Sequence, residues 1–109
     1  MNEVQYIKDF GLYADKLMKD YSSKVASTAL ANHRRRMWQL EIAMHRMEHE
    51  LNLQLTQVLE LAEYHPGADV AKLEARLGDM VRTTVREWTV RHLELIHNDN
   101  HIKKATVLG

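Results

Sequence analysis

An all-α fold is predicted by three features of the sequence: a shortage of turn-forming residues, an apolar repeat with a seven-residue period, and one hard break. Four Gly and one Pro among 109 residues leave few places for the chain to reverse, and those residues are the usual punctuation between elements. The architecture expected is a short helix followed by a long helical hairpin, associating as an antiparallel dimeric bundle. No repeat, low-complexity tract or linker divides the chain, so residues 1–109 read as a single helical domain.

The first helix is placed at about residues 3–21. Asn2 and Gln5 have the spacing of a capping pair, and Ile7, Phe10, Ala14, Leu17 and Tyr21 follow at helical intervals. Ser22-Ser23 is read as its end, because Ser favours caps over helix interiors; a helix continuing through the serines is the alternative. The second helix is placed at about 24–64 and is ended by His65-Pro66-Gly67, where Pro restricts the residue before it and Gly accepts turn conformations. The third covers about 68–97, with Asp69 and Glu74 near its positive end. Asn98-Asp99-Asn100 reads as a stop, leaving 98–109 as a frayed or draped tail.

The second helix carries the strongest pattern. Leu30, Met37, Met44, Leu51 and Val58 recur every seven residues, with Leu40, Met47 and Leu61 at the second apolar position of the same heptad. These eight residues are the expected oligomer seam. A second stripe, Trp38, Ile42, His49 and Leu53, lies on the opposite face. A helix apolar on two faces needs two neighbours, and the third helix has one apolar side, formed by Val70, Leu73, Leu77, Val81, Thr84, Trp88 and Leu95. Charge points to an antiparallel pairing of two copies. From Ser23 to Met47 there are five cations and one anion, whereas from Glu48 to Pro66 there are four anions and no cation. Antiparallel copies oppose unlike halves.

Fifteen Lys and Arg balance fifteen Asp and Glu, which argues against nucleic-acid or lipid binding by bulk charge but leaves room for a local patch. The lack of Cys excludes thiol chemistry and Cys-based zinc sites and fits a cytoplasmic setting. No apolar run approaches the roughly 18 residues of a membrane span, and Met1-Asn2-Glu3 does not open a signal peptide. Gly-rich phosphate loops, nucleophile elbows and Cys nucleophiles are missing, so no enzyme and no cofactor is expected.

Two constellations remain. His45 and His49 stand four apart, a spacing at which two imidazoles share a metal, with Glu41, Glu48, His92 or His97 as further ligands; without HExxH or a repeated Glu-x-x-His motif, no metal site is expected. Seven His make the charge sensitive below about pH 6.5, and dissociation on acidification is expected. The run Arg34, Arg35, Arg36 beside Trp38 forms a collar around the helix. Arg46 points the same way as Arg35, and Lys72, Arg76, Arg82 and Arg86 form a basic stripe on the third helix, interrupted by Asp79. These nine residues are the candidate surface for a partner or for a nucleic-acid backbone, and otherwise a solvated face with salt bridges.

The layout resembles the double-stranded-RNA-binding silencing suppressors of insect nodaviruses: a short first helix, a long second helix opening with Asn32 to Arg36, and a Pro-interrupted turn before a charged third helix with Leu73-Glu74. The resemblance implies an antiparallel four-helix core lying along RNA, with Arg35 and Arg36 on its backbone. Met47, Gln54 and Ala62 depart from the cations such a row would need. The leading expectation is a non-enzymatic, self-associating helical interaction protein (adaptor, inhibitor or assembly subunit) with a protein partner and no membrane. Sequence-independent duplex RNA binding is the alternative, and a metal-binding helical bundle a third.

Overall fold

The computed structural model describes the backbone of residues 3–108 and the side chains of residues 3–100. Three helices, α1 (Glu3–Ala26), α2 (His33–Ala62) and α3 (Val70–Leu108), account for the fold, with no strand among the described residues. Two short connections, 27–32 and 63–69, force neighbouring helices to run antiparallel. Contacts at the two ends fix this up-down-up order. Tyr6 lies against His65 at one end, while Ser22 meets His92 and Arg36 meets Asp99 at the other. The result is a rod of 66 × 17 × 16 Å.

Each helix gives one apolar stripe to a shared core. From α1 come Tyr6, Phe10, Ala14, Leu17, Tyr21 and Val25, spaced by three or four as a helix requires. Leu40, Met47, Leu51 and Val58 come from α2, and Leu73, Leu77, Val81, Val85, Trp88 and Ile96 from α3. Burying a side chain of the Leu or Phe class contributes about 1.5–3 kcal/mol, so these stripes hold the three helices together. Glu50 of α2 faces α1 between two tyrosines. Burial, then the hydrogen bond and charge of Glu50, push the Tyr21 phenol above its ordinary range, and burial followed by Glu50 does the same to Tyr13.

Several helix ends differ from the sequence reading. α1 passes through Ser22-Ser23 because Ser22 is an anchor: its hydroxyl accepts from the Trp88 indole and bonds His92, each at 2.9 Å. The chain turns later, where Ser27 and Thr28 hydroxyls donate to the carbonyls of Lys24 and Val25. α2 therefore starts at His33 rather than residue 24. Asn32 caps it, with extended backbone and a side-chain oxygen accepting from Arg35 N–H at 2.8 Å. Gly67, at φ 82°, supplies the left-handed residue of the second turn. Asp69 accepts from Lys72 N–H at 3.1 Å and caps α3, which begins at Val70 rather than residue 68. Asn98-Asp99-Asn100 does not stop α3, whose backbone stays helical to Leu108. Asp99 is held there by the buried Arg36. Asn2, half of the expected capping pair, lies outside the described residues, and Gln5 instead donates to Asp9 at 2.8 Å.

The seam also needs correction. Leu40, Met47, Leu51 and Val58 are sealed inside the chain's own core and are closed to a second copy. Leu30 sits in the first connection, fully exposed, because α2 has not yet begun, and Leu61 is 60 % exposed at its far end. Only Met37 and Met44 remain partly open. The heptad is real, but α1 and α3 satisfy it. The second stripe is not satisfied: Trp38 and Leu53 remain more than half exposed, His49 is exposed and Ile42 is half-buried. On α3, Leu95 is exposed and its neighbour Ile96 is buried in its place.

Candidate helix-docking groove

Three helices packed around one core leave three grooves on the outside. Between α1 and α2 a small depression of about 50 Å³ lies beside Ile42 and Arg46. The α1–α3 groove is wide but charged, and Lys8, Asp15, Arg76 and Asp79 line it. The α2–α3 groove is different in character. Two adjoining depressions of about 410 and 330 Å³ run along it, sharing Met44 and Thr89.

Its floor follows from the helical registers. Met37 and Met44 of α2 lie one heptad apart on the flank that faces α3, and Val81, Val85 and Leu93 of α3 answer them. Trp38 overhangs the end nearest Arg34, 59 % exposed. Val90, 47 % exposed, lies on the α3 side. A tryptophan and two flexible thioethers lining one apolar trough are the side chains that adapt to an incoming apolar surface.

Beside Glu48 the rims are charged with opposite signs, and farther along the α2 rim carries both Glu41 and Arg34. Glu41 and Glu48 stand on the α2 side, and Arg82 and Arg86 on the α3 side at the level of Glu48. Arg82 pairs with Asp79 one turn earlier on its own helix, and His45 lies 3.9 Å from Glu41. Both pairs are well exposed, so each contributes little, roughly 0–1 kcal/mol.

The other expected surface residues scatter. Arg36 is not on the surface: its side chain is 8 % exposed and its Nη1 lies 3.1 Å from Asp99, so it locks α2 to α3 and offers nothing to a partner. Arg35 and Arg46 are exposed on the opposite side of α2 from the groove, Arg34 lies at the groove's end, and Lys72 and Arg76 lie toward α1. The arginine triplet is thus divided among a core lock, a groove end and a solvated flank. His45 and His49 are both exposed, and no group of three or more His, Asp or Glu among the described residues is placed to hold a metal.

Several relationships are absent from the sequence reading. The α2–α3 groove joins Met37 and Met44 to residues lying 37 to 56 positions later, which no local pattern announces. The Asn32 cap had a visible signal, an Asn immediately before a helix-forming run. His33 and His97 also meet, with ring centroids 5.4 Å apart. No protein-family model, curated protein or solved structure matches the chain. Among the described residues no helix is long and apolar enough to cross a membrane.

Proposed function

We propose that this chain is a non-enzymatic helical interaction protein that associates with itself through the open α2–α3 groove. The observation that carries the reading is an apolar floor left uncovered between α2 and α3, lined by Met37, Met44, Val81, Val85 and Leu93. Exposed troughs of this kind take an amphipathic helix, which lays its apolar stripe along the floor and its charges on the rims. The self-association expected from the sequence is kept as a proposal, with the interface moved from the heptad core to its flank. A groove already built for helices, on a chain made only of helices, makes another copy the simplest occupant.

Duplex RNA binding has less support. Arg36 is committed to Asp99, and the exposed cations do not share one face. Two measurements test the proposal. Sedimentation equilibrium at micromolar concentration is expected to give a dimer or a larger assembly, reduced to the 12.8 kDa chain by Met44→Lys, which places a charge on the groove floor. A wild-type chain that sediments as a monomer overturns the reading. A titration with duplex RNA at two salt concentrations is expected to show no salt-sensitive binding, and steep salt dependence would favour the alternative.

A further inference from the structure

The geometry points to a second copy seated in the α2–α3 groove about a two-fold axis parallel to the helices, so that α2 of each copy lies over α3 of the other. The inference rests on the self-association proposed above and adds the arrangement. Two identical two-helix faces stack about a two-fold axis lying in the plane between them, and that axis runs either across the helices or along them. Both choices give an antiparallel four-helix core. They differ in which rim meets which.

The levels of the rim residues decide between them. Antiparallel packing with Arg36 beside Asp99 and His33 beside His97 brings Glu41 to about the level of Thr89 and Leu93, and Glu48 to that of Arg82, Val85 and Arg86, the residues with which each lines its depression. An axis crossing the helices at the middle of the groove lays α2 on the second copy's α2. Glu48 then meets the second copy's Glu41, and Arg86 falls within one turn of its own counterpart. Like charges face each other on both rims, which disfavours this packing. An axis along the helices preserves height. Glu48 of each copy is then carried over Arg82 and Arg86 of the other, twice by symmetry, and Trp38 of each copy lies at the level of Leu93 of the other.

This arrangement has a second property. A two-fold axis along the helices allows no sliding, since any displacement of one copy must equal its own reverse. Register is therefore fixed by symmetry, and the apolar floor need supply only attraction. Both copies of α1 remain outside the four-helix core, where each already covers the far side of its own hairpin. The charge asymmetry along α2 then has a different use from the head-to-tail pairing of two α2 helices. Glu48 is matched across the groove by cations of α3.

The chain contains no Cys, so single cysteines at exposed rim positions report contacts directly. Glu48→Cys, Arg86→Cys and Glu41→Cys are made separately, mixed in pairs and oxidised, with helix content checked by circular dichroism. A mixture of E48C with R86C is expected to give a disulfide-linked pair, and a mixture of E48C with E41C is not. In parallel, E48R is expected to weaken the wild-type dimer about tenfold, through two symmetry-related attractions turned into repulsions, and R86E added to E48R is expected to restore it. A 41–48 crosslink, or a dimer strengthened by E48R, overturns this arrangement in favour of α2 on α2. A wild-type dimer that yields neither crosslink also overturns it, because the interface then lies outside the groove. The α2-on-α2 outcomes leave self-association through the groove standing, the lack of either crosslink leaves self-association but moves it off the groove, and a monomeric wild type removes the proposed function altogether.

Discussion

The indole N–H of Trp88 donates to the hydroxyl of Ser22 at 2.9 Å, across 66 positions of sequence, and the same hydroxyl lies 2.9 Å from His92 Nε2. The indole uses the oxygen as an acceptor, and the hydroxyl still has a proton to donate and a second lone pair, so it bonds His92 Nε2 in either tautomer of the ring. The rings of Trp88 and His92 also stack obliquely, with centroids 4.5 Å apart. One small side chain on α1 thus organises the only tryptophan in the core.

Ser22→Ala removes the partner of a buried N–H. The expected cost is about 1–3 kcal/mol, the penalty for an unsatisfied buried donor, read as a lower urea midpoint with unchanged slope. A neighbouring control, Ser23→Ala, is expected to move the midpoint by less than about 0.5 kcal/mol, because Ser23 is exposed. Equal effects would show that the hydroxyl network contributes nothing.

Acid should weaken the same contact. His92 titrates below the usual imidazole range, chiefly because it is part-buried and secondarily because of Arg91. A folded value below the unfolded one means that the unfolded chain takes up the proton first. The stability contributed by neutral His92 is therefore complete above the unfolded value of about 6.5 and is lost as the pH falls from there through the lower folded value. Thermal melts of the wild type at pH 7.5 and pH 5.5 should differ by more than those of His92→Gln. A variant that keeps the full acid sensitivity would place its source elsewhere among the seven histidines.

Arg36 and Asp99 join the start of α2 to the late part of α3. Asp99→Asn leaves the nearly buried guanidinium without its counter-charge, and a loss of about 1–2 kcal/mol is expected after allowing for the half-exposed carboxylate. Arg36→Met should cost less, since an apolar side chain of similar length needs no partner there. Amide hydrogen exchange in residues 96–108 is the more direct readout. Asp99→Asn should speed it, and unchanged protection would mean that α3 holds its end without the lock.

Leu51 and Leu30 occupy the same heptad position in sequence and opposite environments in the fold. Leu51→Ala is expected to cost about 2–5 kcal/mol, as for other buried leucines cut to Ala, whereas Leu30→Ala should cost almost nothing because Leu30 is fully exposed. Chemical denaturation of the two variants checks this. Comparable losses would restore Leu30 to a packed seam.

The apolar periodicities were legible because burial imposes them on each helix separately. Leu40, Met47 and Leu51 were marked by spacing alone, as were Leu73, Leu77 and Trp88. Periodicity does not say which surface covers a stripe, however, and the heptad of α2 is met by α1 and α3 rather than by another molecule. Helix ends were misjudged where a long-range bond overrode local preference. Ser22 would cap or break a helix in isolation but is held helical by Trp88, and Asp99 would help a turn but is held by Arg36. The candidate groove was half visible. Trp38, Met37 and Met44 were singled out, but their α3 counterparts depend on how the hairpin closes.

The slender outline of the molecule affects how its mass is to be measured. At 66 × 17 × 16 Å, with a radius of gyration of 17.8 Å, the chain is more extended than a compact globule of its length, for which about 13 Å is usual. An elongated particle drags more solvent than a sphere of equal weight and leaves a gel-filtration column early. A single copy would therefore elute where a heavier globular standard does, and a side-by-side pair, thicker but scarcely longer, would be displaced from it by less than a doubling of weight suggests.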